Sequence, residues 1–216
     1  MAPTRLDESA MTTITELSHL HRFVPATVAG RPPILLLHGT GGDENDLLPL
    51  GQAVAPGAAL LSPRGKVLEG GMPRFFRRLA EGVFDEDDVR RRANELADFV
   101  EEARRVYGLE AAIALGFSNG ANIAAAVLQL RPEVLAGAVL LRAMVPLKQA
   151  PDVDLTGKPI LILSGAADPI VPAENAARLA SILNAAGAVV EHRTLPAGHG
   201  LSQADVALAK AWLDQR

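Results

Sequence analysis

The chain has 216 residues, with 21 Lys and Arg against 25 Asp and Glu, a formal net charge of −4, and no cysteine. Without a thiol it has no disulfide framework, thiolate metal site, CxxC redox pair or cysteine nucleophile, and its mild acidity excludes the basic stripe that displaces counterions from nucleic acid. The length suits one domain, long enough to bury about 70% of the surface of its unfolded form; with only 4% aromatic residues, the core must be aliphatic.

The first stretch, MAPTRLDESAMTTITELSHL, has no apolar run after a basic start and does not read as a secretory signal. Residues 1–16 are expected to be a flexible segment, with Met11 as an alternative start, and residues 17–216 a single domain. No window approaches 18 consecutive apolar residues, so no membrane span is expected and the expected location is the cytoplasm.

Leu17–Val24 reads as an antiparallel strand at the N-terminal edge. Pro33–His38 (PILLLH) is a continuous apolar run, the pattern of a strand buried on both faces. Similar runs are Ala58–Ser62, Ala112–Phe117, Ala138–Leu141 and Pro159–Ser164, while Ala188–Thr194 mixes apolar and polar residues and belongs nearer an edge. Between them lie helical patterns at Asp85–Tyr107, Gly120–Leu130, Ala173–Ala186 and from Ser202 to the C-terminus. Pro132 closes the second helix, Gly187 the third, and Ser202 with Asp205 three residues on makes a near capping box for the last. Strands alternating with helices of this length predict βαβ units and an α/β fold: a mostly parallel twisted sheet with helices on both faces. The charges between Arg74 and Arg105 are balanced in sign and read as a solvated helix face.

Chemistry on such sheets sits at the C-terminal ends of the strands. Gly116-Phe117-Ser118-Asn119-Gly120 follows one strand and opens a helix, the G-x-S-x-G context of a nucleophile elbow. A serine in that turn stands clear of the sheet, and the helix N-terminus offers it unpaired N–H groups. It needs an imidazole base and an orienting carboxylate, which on this fold follow in the order Ser, acid, His. Two histidines lie downstream. His192 falls inside a strand pattern and reads as structural, whereas His199, in PAGHG between the last strand and last helix, can reach over the strand ends. Asp168, just past PILILSGAA and stiffened by Pro169, is the candidate acid. Asp152 and Asp154 lie at the wrong end of that strand, and capping suffices for Asp205.

Upstream, His38-Gly39-Thr40-Gly41-Gly42 follows a strand and provides an oxyanion loop, with the backbone N–H groups of Thr40 and Asn119 as the two donors. No Gly-Lys-Ser/Thr follows these glycines, so a phosphate-binding loop is excluded. His38 is expected to bond backbone beneath the loop.

In this order and spacing, LLLHGTGGDE, GFSNGA, GAADPIVP and PAGHG resemble the phospholipase/carboxylesterase family of α/β hydrolases, from about Arg31 to the C-terminus. The resemblance implies the α/β-hydrolase fold, a triad of Ser118, Asp168 and His199, and oxyanion donors at Thr40 and Asn119. It also implies that Leu68–Asp88 borders the acyl site, with Phe75, Phe76 and Phe84 as candidate pocket residues. Thr40 and Asn119 depart from residues usual in the family (Leu and Gln), which leaves the mechanism intact, because both act through backbone N–H. The expected activity is a serine carboxylesterase acting on small or short-chain esters, with no cofactor or metal; its partner is a small-molecule ester, and a homodimer is open to it. The alternatives are an acyl thioesterase or lysophospholipase-type hydrolase, or a non-hydrolytic relative: a cofactor-free perhydrolase or haloperoxidase, or a binding protein.

Overall fold

The computed structural model describes residues 17–149 and 151–216; the expectation of a flexible N-terminal segment over 1–16 and the Met11 reading lie outside the described residues. In chain order the elements are β1 (His21–Val24), β2 (Ile34–Leu37), α1 (Leu48–Val54), β3 (Leu60–Pro63), β4 (Val67–Glu69), β5 (Met72–Arg74), β6 (Arg78–Ala80), β7 (Val83–Phe84), α2 (Glu86–Tyr107), β8 (Ala112–Phe117), α3 (Asn119–Leu130), β9 (Leu135–Leu141), β10 (Pro159–Gly165), α4 (Ala173–Ala185), β11 (Val189–Leu195) and α5 (Gln203–Leu213).

Seven strands form one sheet in the order β1-β3-β2-β8-β9-β10-β11. Only β1 runs antiparallel; the remaining pairs are parallel. Strand side chains alternate between two apolar layers, as period-2 geometry requires. Leu35, Leu37, Ala114, Ile160 and Ile162 face the layer that includes α2, α3 and α4 residues, while Ile34, Leu36, Ile113, Leu115, Leu161 and Leu163 face the layer holding α1 and α5 residues. Because both faces are covered, these strands carry no polar side and read as uninterrupted apolar runs. Each fully buried Leu or Ile contributes about 1.5–3 kcal/mol relative to exposure. Helix α3 lies between the sheet and α2, and its small side chains (Ala121, Ala124, Ala125 and Ala126, all buried) permit that close packing.

Helix ends follow local chemistry. The Asp85 carboxylate accepts the Asp88 N–H to start α2, and Gly108 ends it in the left-handed region at φ 65°. Ion pairs of Asp88 with Arg91 and Arg92, and of Arg92 with Glu95, lie along α2 at i,i+3 and i,i+4 spacing.

Three differences from the sequence reading have physical causes. The edge strand begins at His21 rather than Leu17: the Arg64 N–H still donates to Leu20 O (2.7 Å), but residues 17–19 bend and do not continue the ladder. Helix α1 went unread, being seven residues long with a proline in its first turn and a glycine inside it. The stretch between β3 and α2 folds into two hairpins, β4–β5 and β6–β7, whose two- and three-residue strands are too short for periodicity to register.

Candidate active site

The chain passes from β2 through α1 to β3 on one side of β2, then crosses to β8 on the other. Loops leaving β2 and β8 therefore diverge at their C-terminal ends and open a crevice, the place where doubly wound sheets bind ligands. Register pairs Leu37 with Gly116 and Phe117 with Leu141, so the glycine loop after β2, the elbow and the segment after β9 emerge side by side.

Ser118 occupies the turn between β8 and α3 at φ 52° and ψ −114°, a region that strains a side-chain-bearing residue by about 1–3 kcal/mol. The surroundings over-determine it. Its N–H donates to Leu141 O (2.8 Å), and its carbonyl accepts the Asn122 N–H (3.0 Å). A Cβ on Gly120 would sit 1.9 Å from Leu37 O, and one on Gly116 would sit 2.5 Å from Gly120 O. The two glycines of the motif therefore exist to let β2, β8 and α3 touch at the backbone.

His199 stands on the loop between β11 and α5. Ser118 Oγ lies 3.0 Å from its Nε2, and its Nδ1 lies 2.9 Å from Asp168 Oδ2. A carboxylate can only accept, so Nδ1 carries the proton and Nε2 is left to accept from the serine. Asp168 lies just beyond β10. Its Oδ1 accepts the N–H groups of Ile170 (2.8 Å) and Val171 (3.0 Å). Burial alone would raise its pKa, but the Val171 N–H, His199 and the Ile170 N–H outweigh that and hold it below the ordinary carboxylate value. The three residues expected to act together are thus brought into one hydrogen-bonded chain.

The N–H groups of Thr40 and Asn119 donate to no group among the described residues. His38 lies beneath their loop: its Nδ1–H donates to Gly39 O (2.7 Å) and its Nε2 accepts the Gly65 N–H (3.0 Å). Burial keeps the ring neutral by lowering its pKa. Arg74 supports the loop from above, its Nη1 donating to Thr40 Oγ1 (2.6 Å) and its Nε to Phe76 O (3.1 Å). Asn119 Oδ1 accepts the Phe75 N–H (2.7 Å), tying the hairpin region to the elbow.

A cleft of about 310 Å³ opens over Ser118 and His199. Phe84, Met144, Ile170 and Val171 give it apolar wall, Arg78 and Glu81 give it charged rim, and the buried Arg74 lines it as well. Of the three phenylalanines expected there, only Phe84 lines it. Phe75 (3% exposed) and Phe76 (fully buried) belong to the core instead. The bond from Asn119 draws Phe75 inward, where its ring meets His38 at 4.7 Å, and Phe76 packs edge-on behind Phe84 at 5.0 Å.

Sequence reasoning missed much of the cleft lining, Asn122 and Arg142 included, and underread Asp205. Asn122 lines the cleft and its Oδ1 accepts the Met144 N–H (2.7 Å). Arg142, which also lines the cleft, is fully buried and holds Asp205 through two hydrogen bonds. Asp205 does complete the capping box, accepting the Ser202 N–H at 2.8 Å, but it is the partner of Arg142 as well. The available signal was a single arginine in the apolar run AVLLRAMVPL. His192 lies in β11, its Nε2 2.8 Å from Ser164 Oγ. Among the described residues, no three His, Asp or Glu side chains converge as a metal site, and no helix is long and apolar enough to cross a membrane.

Comparison with known proteins gives the arrangement its context. The family model described as Phospholipase/Carboxylesterase matches residues 22–215. Bacillus subtilis (strain 168) MhqD, a protein named as a hydrolase, is 46% identical over 181 residues, covering 83% of this chain and 90% of that one. The Bacillus cereus carboxylesterase structure is 44% identical with a TM-score of 0.88, covering 93% of this chain and 95% of that one. A carboxylesterase from Mesorhizobium loti is 33% identical with a TM-score of 0.90, covering 96% and 100%. The crevice at the switch point, the elbow and the match along nearly the whole described chain lead to one assignment: this protein belongs to the phospholipase/carboxylesterase family of α/β hydrolases.

Proposed function

We propose that the chain is a serine carboxylesterase that hydrolyses small or short-chain esters through an acyl-serine intermediate. The observation that carries this reading is the unbroken chain Ser118 Oγ–His199–Asp168 at the floor of a cleft.

The substrate carbonyl lies over Ser118, and its oxygen points at the N–H groups of Thr40 and Asn119. His199 Nε2 takes the Ser118 proton as Oγ attacks the carbonyl carbon. The imidazolium that forms is stabilised by Asp168, which remains ionised because its pKa is depressed. Negative charge grows on the carbonyl oxygen at the N-terminus of α3, where two N–H groups and the helix dipole meet it. The tetrahedral intermediate collapses, His199 hands its proton to the departing alcohol, and water repeats the sequence on the acyl-serine. The cleft volume, at the low end of small-molecule sites, favours short acyl groups. We read residues 17–216 as one catalytic domain.

The test is Ser118→Ala assayed on p-nitrophenyl esters and thioesters of graded acyl length. Loss of turnover to the background rate, with an unchanged circular-dichroism spectrum and a wild-type preference for short oxygen esters, is the expected result. Activity persisting in the variant would overturn the nucleophile.

A further inference from the structure

Arg142 is the first residue after β9, and its backbone is left-handed at φ 57°. It shares that conformation with Ser118 alone among the described non-glycine residues. Its N–H donates to Leu163 O (2.9 Å), and its side chain is wholly buried. The guanidinium donors are distributed over four residues. Nε donates to Gly198 O (2.9 Å). Nη1 donates to Leu163 O (3.2 Å) and Asp205 Oδ1 (2.8 Å). Nη2 donates to Gly200 O (3.1 Å) and Asp205 Oδ2 (2.9 Å). All five N–H groups are used, which only the planar fork of an arginine permits.

Two of those bonds go to the carbonyls immediately before and after His199. Gly198 and Gly200 give the imidazole loop no side chains of its own with which to fix itself. On the side of β10 the loop is held by the Ala167 N–H, which donates to Ala197 O (3.0 Å). A Cβ on Gly165 would lie 2.5 Å from both Ala197 O and Gly198 O, so the loop presses onto the strand end. Asp205 fixes the other end of the guanidinium, and its Oδ2 also accepts the Ser202 N–H and Oγ–H, each at 2.8 Å. An ion pair serving stability alone would need Asp205 and nothing more; the bonds to Gly198 and Gly200 are extra, and both flank the base.

We infer that Arg142, oriented by Asp205, is a positioning residue that sets the main chain on both sides of His199, so that Nε2 meets Ser118 Oγ. The inference rests on the reading of Ser118, His199 and Asp168 as a triad. Arg142 takes no proton and touches no reacting atom in this role.

Lysine at position 142 keeps the charge but supplies a single tetrahedral nitrogen, so Arg142→Lys releases at least one of the two flanking carbonyls. A displacement of about 1 Å at such a group costs on the order of 100-fold in rate. Arg142→Lys and Asp205→Asn are therefore assayed beside wild type and Ser118→Ala for kcat, KM, melting temperature and the downfield proton resonance of the His199 Nδ1–H. The expected results are a kcat lowered about 30- to 100-fold in Arg142→Lys, KM within about threefold, and a broadened Nδ1–H signal, with a smaller kcat loss in Asp205→Asn. A folded Arg142→Lys with kcat within about twofold of wild type and a sharp Nδ1–H signal would overturn the inference. If Arg142→Lys does not accumulate folded, Asp205→Asn decides by the same kcat and resonance criteria. Wild-type turnover that survives Ser118→Ala counts against the triad, whatever Arg142→Lys does.

Discussion

Replacing Asp168 by Asn separates the orientation of His199 from every other element of the site. One carboxylate oxygen of Asp168 accepts the N–H groups of Ile170 and Val171, and the other faces His199 Nδ1. An asparagine has one oxygen and one NH2. Two backbone donors claim the oxygen, so the NH2 must face the imidazole. His199 is then forced to accept at Nδ1 and to carry its proton on Nε2, pointing a donor at Ser118 Oγ where the proposed mechanism requires an acceptor. A reversed tautomer in such a triad lowers kcat by about 10⁴-fold, which is about 5.4 kcal/mol at 1.36 kcal/mol per decade. Folding should suffer little, because both backbone bonds survive. A loss of about 1 kcal/mol lowers the melting temperature by about 2–4 °C at this chain length. The depressed pKa of Asp168 means its contribution to stability is in place above the ordinary carboxylate value and is lost as pH falls through the lower folded value. That acid-side dependence should disappear in the variant. Steady-state hydrolysis of p-nitrophenyl acetate, with thermal melts at pH 3 to 7, measures all three quantities. A variant that keeps more than a tenth of wild-type kcat would refute the tautomer argument.

Other outcomes follow from burial. His19 is buried against Phe99, and burial first, then the charges of Lys66, His21 and Arg92, push its pKa down to about 3. The unfolded chain binds that proton near pH 6.5 and the folded chain does not, so stability falls on acidification below pH 6.5, by about 2 kcal/mol at pH 5 from this group alone. Urea midpoints between pH 5 and 7 should shift accordingly and flatten in His19→Gln; an unchanged slope in that variant would assign the effect elsewhere. Phe76→Ala should cost about 3–5 kcal/mol with kcat nearly preserved. Phe84→Ala should cost less stability but lower kcat/KM for longer acyl groups by roughly tenfold. Denaturation and an ester panel on both variants would disprove the placement if the ranking came out reversed.

The parts of the site legible in the sequence share a local cause. Ser118 and Asp168 stand just past a continuous apolar strand, and His199 follows the last strand in a glycine-flanked loop, so strand patterning and short motifs located all three. The same reasoning failed where the cause was non-local. Phe75 and Phe76 are adjacent aromatics in a segment without period; the Phe75 N–H is held by Asn119 Oδ1, 44 residues away, and Phe76 packs against Phe84. Arg142 and Asp205 are 63 residues apart; Arg142 drew no reading, and capping was a sufficient local one for Asp205. The hairpins β4–β5 and β6–β7 carry too few residues to declare a period, although Arg74 of the first and Arg78, Glu81 and Phe84 of the second line the cleft.

The strand order bears on how the protein acquires its activity. Ser118 follows β8, Asp168 follows β10 and His199 follows β11, with β9 seated between the first two. The serine–histidine bond closes a span of 81 residues and the histidine–aspartate bond one of 31. Parallel strands gain their pairing only after such spans are closed, which makes them slow to assemble. A fragment ending before β11 lacks His199, so the proposed triad is incomplete until the last strand has docked. On the proposed function, esterase activity would report completion of the sheet, and a half-assembled molecule would expose apolar strand edges before its serine meets its base.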